Sequence, residues 1–295
     1  MPLSRPFFVF LLLISLPLRA EIAVEDDAAR EVVLSKPAQR IISLAPHITE
    51  QLYAVGAGEQ LVGAVDYSDY PEAAKKLPRV GGYSRLDLEA ILALRPDLVV
   101  GWKSGNDNRQ LERLQELGIT LYLSEPKALS DIAESMRRLA TLSGHAEEGE
   151  AQAEHFMRTL KRLAAMNRDQ PRLKVFYQIW DRPLMTINGE HLISDVIRLC
   201  GGENIFAELP TLTPKVSTEA VIAGDPDMII ASGMAEERPE WLDEWHRWKS
   251  LSAVRNEQLK FIPPDLIQRA TPRLLQGAEQ MCRMFHEAGK QAAEK

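Results

Sequence analysis

The side chains that could do chemistry are not arranged as an enzyme would need them. The sequence contains no nucleophile elbow, no phosphate-binding loop and no paired-carboxylate motif. Its six histidines are scattered without ligand spacing, so a first-row metal site is not expected. We interpret the chain as a binding protein without a cofactor. A periplasmic enzyme on an α/β scaffold remains the alternative, because fold does not determine function.

Two cysteines, Cys200 and Cys282, are the remaining reactive groups. Such a pair forms a disulfide in an oxidising compartment, whereas in the cytosol both would be unpaired core thiols. Residues 1–20 favour the first case, because Arg5 precedes an apolar run over residues 7–16. That run is too short to span a bilayer. We predict a signal peptide over residues 1–20, a periplasmic protein and a Cys200–Cys282 disulfide.

The net charge of −7 gives no electrostatic reason to bind nucleic acid or an anionic membrane. We therefore expect neither a nucleic-acid partner nor a membrane-embedded protein. The length of 295 residues suits two domains, each with its own core.

An internal repeat indicates how the chain is organised. The segment 89–100 (EAILALRPDLVV) recurs as segment 219–230 (EAVIAGDPDMII). Each copy begins as an amphipathic helix, stops at a proline and continues as an apolar strand. Ahead of each copy, residues 49–59 resemble residues 194–203, and both segments read as helices that end at glycine. The repeat therefore predicts two similar lobes.

A single long helix is predicted between the lobes. Residues 147–168 contain no proline, and Phe156, Leu160 and Leu163 form one apolar stripe. Alternating helices and strands imply parallel sheets. The predicted fold is α/β, with two Rossmann-like lobes (21–145 and 171–295) joined by one long helix (146–170). The expected sheet strands are residues 41–44, 61–65, 98–100, 120–123, 173–179, 228–230 and 259–262.

These motifs resemble those of the periplasmic cobalamin-binding proteins, within the helical-backbone class of ABC-importer binding proteins. The resemblance covers nearly all of the chain after residue 20. Its markers include Thr49-Glu50, Tyr67–Pro71 (YSDYP), Trp102 before Gly105-Asn106, Leu199–Phe206 (LCGGENIF) and Arg269–Arg273 (RATPR). It implies a monomer that captures cobalamin between its lobes and delivers it to an ABC permease dimer with its ATPase subunits. Haem or a ferric siderophore is the alternative ligand.

By resemblance, the ligand lies against side chains in loops at strand ends. A corrin is a broad, largely apolar disc fringed with amides, which aromatic walls and a few polar groups would hold. Of Tyr177 and Trp180, one is expected to stack on it. The alternatives are ordinary core packing for each aromatic residue and a local ion pair between Asp265 and Arg269. The candidate ligand-binding residues are Tyr67, Tyr83, Trp102, Trp180, Asp265, Leu266, Ile267, Gln268, Arg269 and His47.

Several of these positions depart from the family pattern. Tyr83 stands where the family tends to have tryptophan, and Thr213, Leu266 and Ile267 stand where it has aromatic residues. His47 occupies a position that is small in a relative. Its imidazole could ligate cobalt, or haem iron if the alternative ligand is correct. The other interpretation is a polar histidine that faces solvent at a helix start.

Glu89 and Glu219 occupy the same position in the two repeats. Each follows a capping residue, Asp87 or Ser217, so that a purely local role at the helix dipole is one interpretation. The resemblance implies the other, in which the two carboxylates dock on basic pockets of a two-fold symmetric permease.

Trp241, Trp245 and Trp248 recur at helical spacing on a polar stretch. This pattern could mark a binding box, but we interpret it as a helix that packs onto the second lobe.

Overall fold

The computed structural model describes residues 21–168, 172–233 and 237–293. The predicted signal peptide, residues 1–20, lies outside the described residues. Two α/β lobes with parallel sheets form the molecule, as predicted. Among the described residues, no helix is both long and apolar enough to cross a membrane.

The first lobe contains an N-terminal hairpin and a parallel sheet. Its strands are β1 (Ile22–Glu25), β2 (Glu31–Leu34), β3 (Ile41–Ser43), β4 (Leu61–Ala64), β5 (Gly81–Gly82), β6 (Arg85–Leu86), β7 (Leu98–Trp102) and β8 (Leu121–Ser124). Its helices are α1 (Pro46–Ala54), α2 (Leu88–Ala93), α3 (Asn108–Glu116) and α4 (Leu129–Ser143), with 3₁₀ helices at Ala57–Gln60 and Glu72–Lys76. The parallel sheet has the order β4-β3-β7-β8. All residues of β3 and β8 are buried, because helices cover both faces of the sheet.

Helix α5 (Ala146–Asn167) joins the lobes. Its 22 residues give a length of about 33 Å. Phe156, Leu160 and Leu163 are buried, which confirms the predicted apolar stripe. This stripe belongs to a continuous apolar core that includes residues of both lobes.

The second lobe repeats the arrangement of the first. Its strands are β9 (Leu173–Gln178), β10 (Trp180–Asp181), β11 (Leu184–Met185), β12 (Gly202–Asn204), β13 (Met228–Ala231) and β14 (Leu259–Phe261). Its helices are α6 (Leu192–Leu199), α7 (Thr218–Gly224), α8 (Ser252–Arg255), α9 (Pro264–Ile267) and α10 (Leu274–Ala293), with a 3₁₀ helix at Glu240–Arg247. The parallel sheet has the order β12-β9-β13-β14, so that β13 holds the place of β7 in the first lobe.

The duplicated helices begin and end as the repeat predicts. Asp87 and Ser217 cap α2 and α7, since each side chain accepts a hydrogen bond from the backbone N–H three residues further on. Gly56 and Gly201 follow α1 and α6 with φ angles of +88° and +86°. These values lie in the left-handed region, which glycine adopts without steric cost.

The three tryptophans after residue 240 lie in or beside the 3₁₀ helix Glu240–Arg247. Trp245 is buried, its ring meets that of Phe176 at 5.7 Å, and its Nε1 donates to Gln178 Oε1 at 2.7 Å. Trp241 packs against the same apolar cluster. Packing onto the second lobe is therefore confirmed for these two residues, whereas Trp248 is 37% exposed.

Cys200 and Cys282 form the predicted disulfide. It joins the residue after α6 to the middle of α10, and both cysteines are buried. The bond closes a loop over a sequence separation of 82 residues. A loop of this length restricts the unfolded chain considerably.

We expect Cys200→Ser combined with Cys282→Ser to lower the free energy of unfolding by about 4 kcal/mol, because the loop no longer restricts the unfolded chain. Urea denaturation of wild type and double variant measures the difference. Free-thiol titration of unfolded, unreduced wild-type protein provides the control and should find no thiol. Two reactive thiols, or an unchanged urea midpoint, would contradict this prediction.

Candidate ligand-binding site

Trp102 is the last residue of β7, and its ring lies over the turn that follows. A Cβ atom at Gly105 would overlap the indole, so only glycine fits there without displacing the ring. Asn106 is buried, and its side-chain oxygen accepts a hydrogen bond from Trp102 N at 2.6 Å. Its Nδ2 donates to the carbonyl oxygens of Leu44 and Tyr83 at 2.9 and 2.6 Å. One amide thus fixes the ends of β3 and β7 and the turn between β5 and β6.

Two rings contact Trp102. The ring centroid of Tyr83 lies 6.0 Å away at a tilt of 46°, and that of His47 lies 5.4 Å away, edge-on at 86°. Tilted and edge-on arrangements are favoured by the charge distribution of aromatic rings. Tyr83 is 43% exposed, so part of its ring is available to a ligand. We call His47, Tyr83 and Trp102 the aromatic group.

Tyr67 follows β4 and is 74% exposed. Its φ angle of +63° lies in the left-handed region, which costs a non-glycine residue about 1 kcal/mol. Strained backbone of this kind concentrates at ligand-binding segments. The loop therefore presents a large apolar ring to solvent at the same sheet edge as the aromatic group.

Charged residues of both lobes form an ion-pair cluster, which we define as Glu50, Asp69, Asp265, Arg269 and Arg273. Arg269 Nη1 lies 2.8 Å from Glu50 Oε1 and 3.0 Å from Asp69 Oδ1. Its Nη2 lies 3.0 Å from Asp265 Oδ1. Arg273 Nη2 lies 2.7 Å from Glu50 Oε1. Asp265 and Arg269 do form a local ion pair, but the cluster also joins the second lobe to the first.

Tyr177 and Trp180 lie in the successive strands β9 and β10 after the linking helix, and they differ in exposure. Tyr177 is fully buried in the core, so of these two residues Trp180 is the one left to stack on a ligand. Trp180 lies in β10 and is 36% exposed, with its Nε1 donating to Arg182 O at 3.0 Å. Its role as a ligand contact stays a prediction.

The segment after Asp265 turns different side chains to the core and to the surface. Ile267 is 1% exposed and packs in the core, so its side chain does not line the cleft as predicted. Buried aliphatic packing anchors α9 there. Leu266 is half-buried. Gln268 Nε2 donates to Ser232 O at 2.8 Å, which ties this loop to the end of β13.

His47 does not face solvent, contrary to one interpretation of the sequence. It lies in the first turn of α1 and is 8% exposed, because the ring packs on Trp102. Burial, and to a lesser degree the positive charge of Arg269, lower the pKa of His47 to about 4. The imidazole is therefore neutral at physiological pH. Among the described residues, its Nε2 has no hydrogen-bond partner.

Glu89 and Glu219 are exposed in the first turns of α2 and α7. Each helix runs back against its parallel strands, so its first turn lies at the carboxyl edge of the sheet. Within residues 21–168, 172–233 and 237–293, neither carboxylate has an ion-pair partner. In the same residues, no group of three or more histidine, cysteine or acidic side chains is placed to hold a metal ion.

Known proteins similar to this chain include periplasmic binding proteins. The periplasmic binding protein family model matches residues 41–266. The vitamin B12-binding protein of Vibrio cholerae (strain M66-2) is 40% identical over 256 residues, which are 86% of this chain and 92% of that protein. The chain belongs to the periplasmic binding protein family.

Solved structures of this family share the fold. The periplasmic vitamin B12 binding protein BtuF of Vibrio cholerae superposes with a TM-score of 0.78 at 39% identity, covering 85% of this chain and 98% of that one. The periplasmic haem-binding protein RhuT from Roseiflexus sp. RS-1 gives 0.75 at 25% identity, covering 85% and 99%. Both are similar to this binding protein over both lobes.

The sequence did not reveal the roles of two residues that are important for the site. Asn106 was visible only as part of a Gly-Asn turn, and its three hydrogen bonds depend on segments that are distant in the chain. Glu50 was visible only as a family marker opening a helix, although it is the most deeply buried carboxylate of the ion-pair cluster.

The neutral His47 should make this binding protein less stable in acid. Its pKa is about 4 in the folded protein and 6.5 in the unfolded chain, so below pH 6.5 only the unfolded chain takes up the proton. The free energy of unfolding therefore carries no penalty from His47 above pH 6.5, and this residue lowers it progressively as the pH falls towards 4. Between pH 7.5 and 5.0 this residue accounts for a loss of about 2 kcal/mol.

The non-titrating variant His47→Phe should lack that part of the loss. Urea unfolding of both proteins at pH 7.5 and 5.0 measures it as a difference of differences, independent of how well phenylalanine packs. His191, whose pKa burial also lowers to about 4, contributes equally to both proteins and cancels. Identical pH dependence in variant and wild type would show that His47 is not responsible.

Proposed function

We propose that this periplasmic binding protein captures cobalamin between its lobes and delivers it to an ABC permease dimer with its ATPase subunits. It acts in the periplasm as a monomer, after removal of the signal peptide. It binds its ligand without turnover and without a cofactor of its own. A corrinoid lies against Tyr67, Tyr83 and Trp102, with Asp265 and Arg269 on the opposite side.

The observation that carries this proposal is the aromatic group at the end of β7, together with the ion pair that holds Arg269 of the second lobe against α1, the helix that carries His47. Open α/β sheets bind ligands at the carboxyl ends of their strands, where Trp102 and the loop of Tyr67 lie. Partly exposed rings offer the broad apolar area that a corrin disc needs. The relatives named for vitamin B12 binding, at about 40% identity over most of the chain, support the same ligand.

Haem is the second candidate ligand. The neutral imidazole of His47 lies beside Trp102, and its Nε2 has no hydrogen-bond partner among the residues that the structure describes. Haem iron accepts such a nitrogen as an axial ligand. The similarity to a haem-binding protein at 25% identity also supports it. A ferric siderophore has no comparable support, since Arg269 and Arg273, the basic residues of the ion-pair cluster, are already paired with carboxylates.

Calorimetric titration with cyanocobalamin tests the ligand. Wild type should bind with a stoichiometry of one, and Trp102→Ala should weaken binding by roughly 1–3 kcal/mol, because a buried aromatic contact is lost. Trp248→Ala removes a tryptophan of the second lobe outside the proposed site and should bind like wild type.

Absorption spectra separate the two ligands. If wild type gives neither heat nor a spectral change with cobalamin or cobinamide but forms a Soret band with haem, the ligand is haem. In that case His47→Phe should alter the Soret band. Equal cobalamin affinity of wild type and Trp102→Ala would remove Trp102 from the site.

Docking is proposed to use Glu89 and Glu219. Both are exposed, and neither is ion-paired within the part of the chain that the structure describes; they lie at the tips of equivalent helices, one on each lobe, as a two-fold symmetric permease requires. Two exposed carboxylates at matching places suit two identical basic pockets. The ligand would then be held between the two contacts.

Glu89→Ala combined with Glu219→Ala should leave cobalamin affinity unchanged and weaken association with the permease–ATPase complex in nanodiscs. Glu147→Ala combined with Glu148→Ala is the matched control, since it removes two exposed carboxylates from the first turn of α5. Undiminished association of the Glu89/Glu219 variant, or equal weakening in the control, would assign both residues a local helix-dipole role.

A further inference from the structure

We propose that Glu50 is a positioning residue, which fixes Arg269 and thereby the second-lobe side of the cleft against the first lobe. The inference rests on the proposed function where it concerns the ligand, and on the geometry alone where it concerns the lobes. Glu50 lies in α1 of the first lobe, whereas Arg269 and Arg273 follow α9 in the second.

Glu50 is the acceptor that the two arginines share. Its Oε1 accepts from Arg269 Nη1 at 2.8 Å and from Arg273 Nη2 at 2.7 Å, and its Oε2 accepts from Arg273 Nε at 2.8 Å. The Glu50 side chain is 2% exposed, and the two arginine side chains are 17% and 14% exposed. Charge-assisted hydrogen bonds of this kind are strong and directional, and the bond to Arg273 is bidentate.

The other carboxylates of the ion-pair cluster cannot replace it. Asp265 lies four residues before Arg269 on the same segment, so their pair does not join the lobes. Asp69 belongs to the first lobe, but its side chain is 44% exposed, where solvent weakens an ion pair. Removing the Glu50 charge would leave two partly buried guanidinium groups with only these outlying partners.

Neighbouring contacts hold the same two segments together. Gln51 Nε2 donates to Ala270 O at 2.7 Å, and its Oε1 accepts from Ser135 Oγ at 2.6 Å. The Arg273 guanidinium stacks 3.8 Å from the centre of the Tyr70 ring. Polar contacts therefore join α1 and the Tyr70 loop to the start of α10.

A cavity of about 530 Å³ is lined in part by Glu50 and Arg273 of the ion-pair cluster. Glu50, Tyr70 and Arg273 form one wall, and Phe156 and Thr159 of the linking helix form another. Residues of both lobes and of α5 therefore border open space beside Glu50. Because space remains there, loss of the Glu50 contacts would allow the second-lobe segment to shift.

The first experiment measures the distance between the lobes without ligand. Nitroxide labels at Glu112→Cys (α3) and Glu287→Cys (α10) report it by pulsed electron resonance, because both native cysteines are in the disulfide. Glu50→Gln should broaden the distance distribution. Asp26→Asn is the matched control, since the Asp26 side chain is likewise buried and ion-paired, to Arg30, but its hydrogen bonds to Arg30 and Leu123 join segments of the first lobe alone.

The second experiment measures cobalamin dissociation. Glu50→Gln should raise the dissociation rate about tenfold with little change in association rate, since altered contacts act mainly on dissociation. Glu50→Asp keeps the charge on a shorter side chain and should recover part of the loss. In an Arg269→Ala background, Glu50→Gln should add no further effect, because Glu50 acts through Arg269.

The two experiments test the positioning role of Glu50 separately from the proposed ligand. Unchanged distances and dissociation in Glu50→Gln, equal effects in Asp26→Asn, or additive effects with Arg269→Ala would overturn the positioning role. Failure of wild type to bind cobalamin would instead refute the proposed ligand. The distance measurement would then still decide whether Glu50 fixes the lobes.

Discussion

Burial of both faces of each parallel sheet is the constraint from which the arrangement of the site follows. Strands such as β3 and β8 have no exposed residues, so their side chains are committed to the core. Side chains that meet a ligand must therefore come from the last residues of the strands, such as Trp102, or from the segments beyond them. Those segments lack the hydrogen bonds of a sheet, and single side chains have to hold them. Asn106 does this for three of them.

The lobes are held in relation to each other in two different ways. Along α5 the contact is apolar and continuous with the core, so it tolerates little movement. Near the cleft the contact is made by the ion-pair cluster, whose energy depends on geometry and on exclusion of water. A small change in either affects the cleft before it affects the fold. If the proposed role of Glu50 is correct, stability depends mainly on the apolar core, and ligand capture depends mainly on the cluster.

The sequence predicted the fold well because its signals are local. The repeat, the capping residues before α2 and α7 and the glycines after α1 and α6 each act within a few residues. The site was predicted less completely, since its contacts join distant segments. Nothing near Glu50 in the chain reveals that it meets Arg269, which lies 219 residues away. His47 was misjudged for the same reason, because its burial depends on Trp102. Ile267 lies next to exposed positions, and only tertiary packing shows that it faces inward.

The first-lobe side of the cleft is aromatic, whereas the second-lobe side is more polar. The contacts between the lobes matter because they fix those polar groups relative to the rings. The first lobe offers the rings of Tyr67, Tyr83 and Trp102. In the second, Thr213 is exposed and Leu266 is half-buried, at two positions where the sequence resemblance leads us to expect aromatic rings. A flat apolar ligand would gain most of its contact area from the first lobe and its orientation from polar groups on the second. Orientation by Arg269 requires a fixed guanidinium, because a mobile one would lose conformational entropy on binding. The less aromatic the second lobe is, the more ligand capture depends on how firmly that arginine is held.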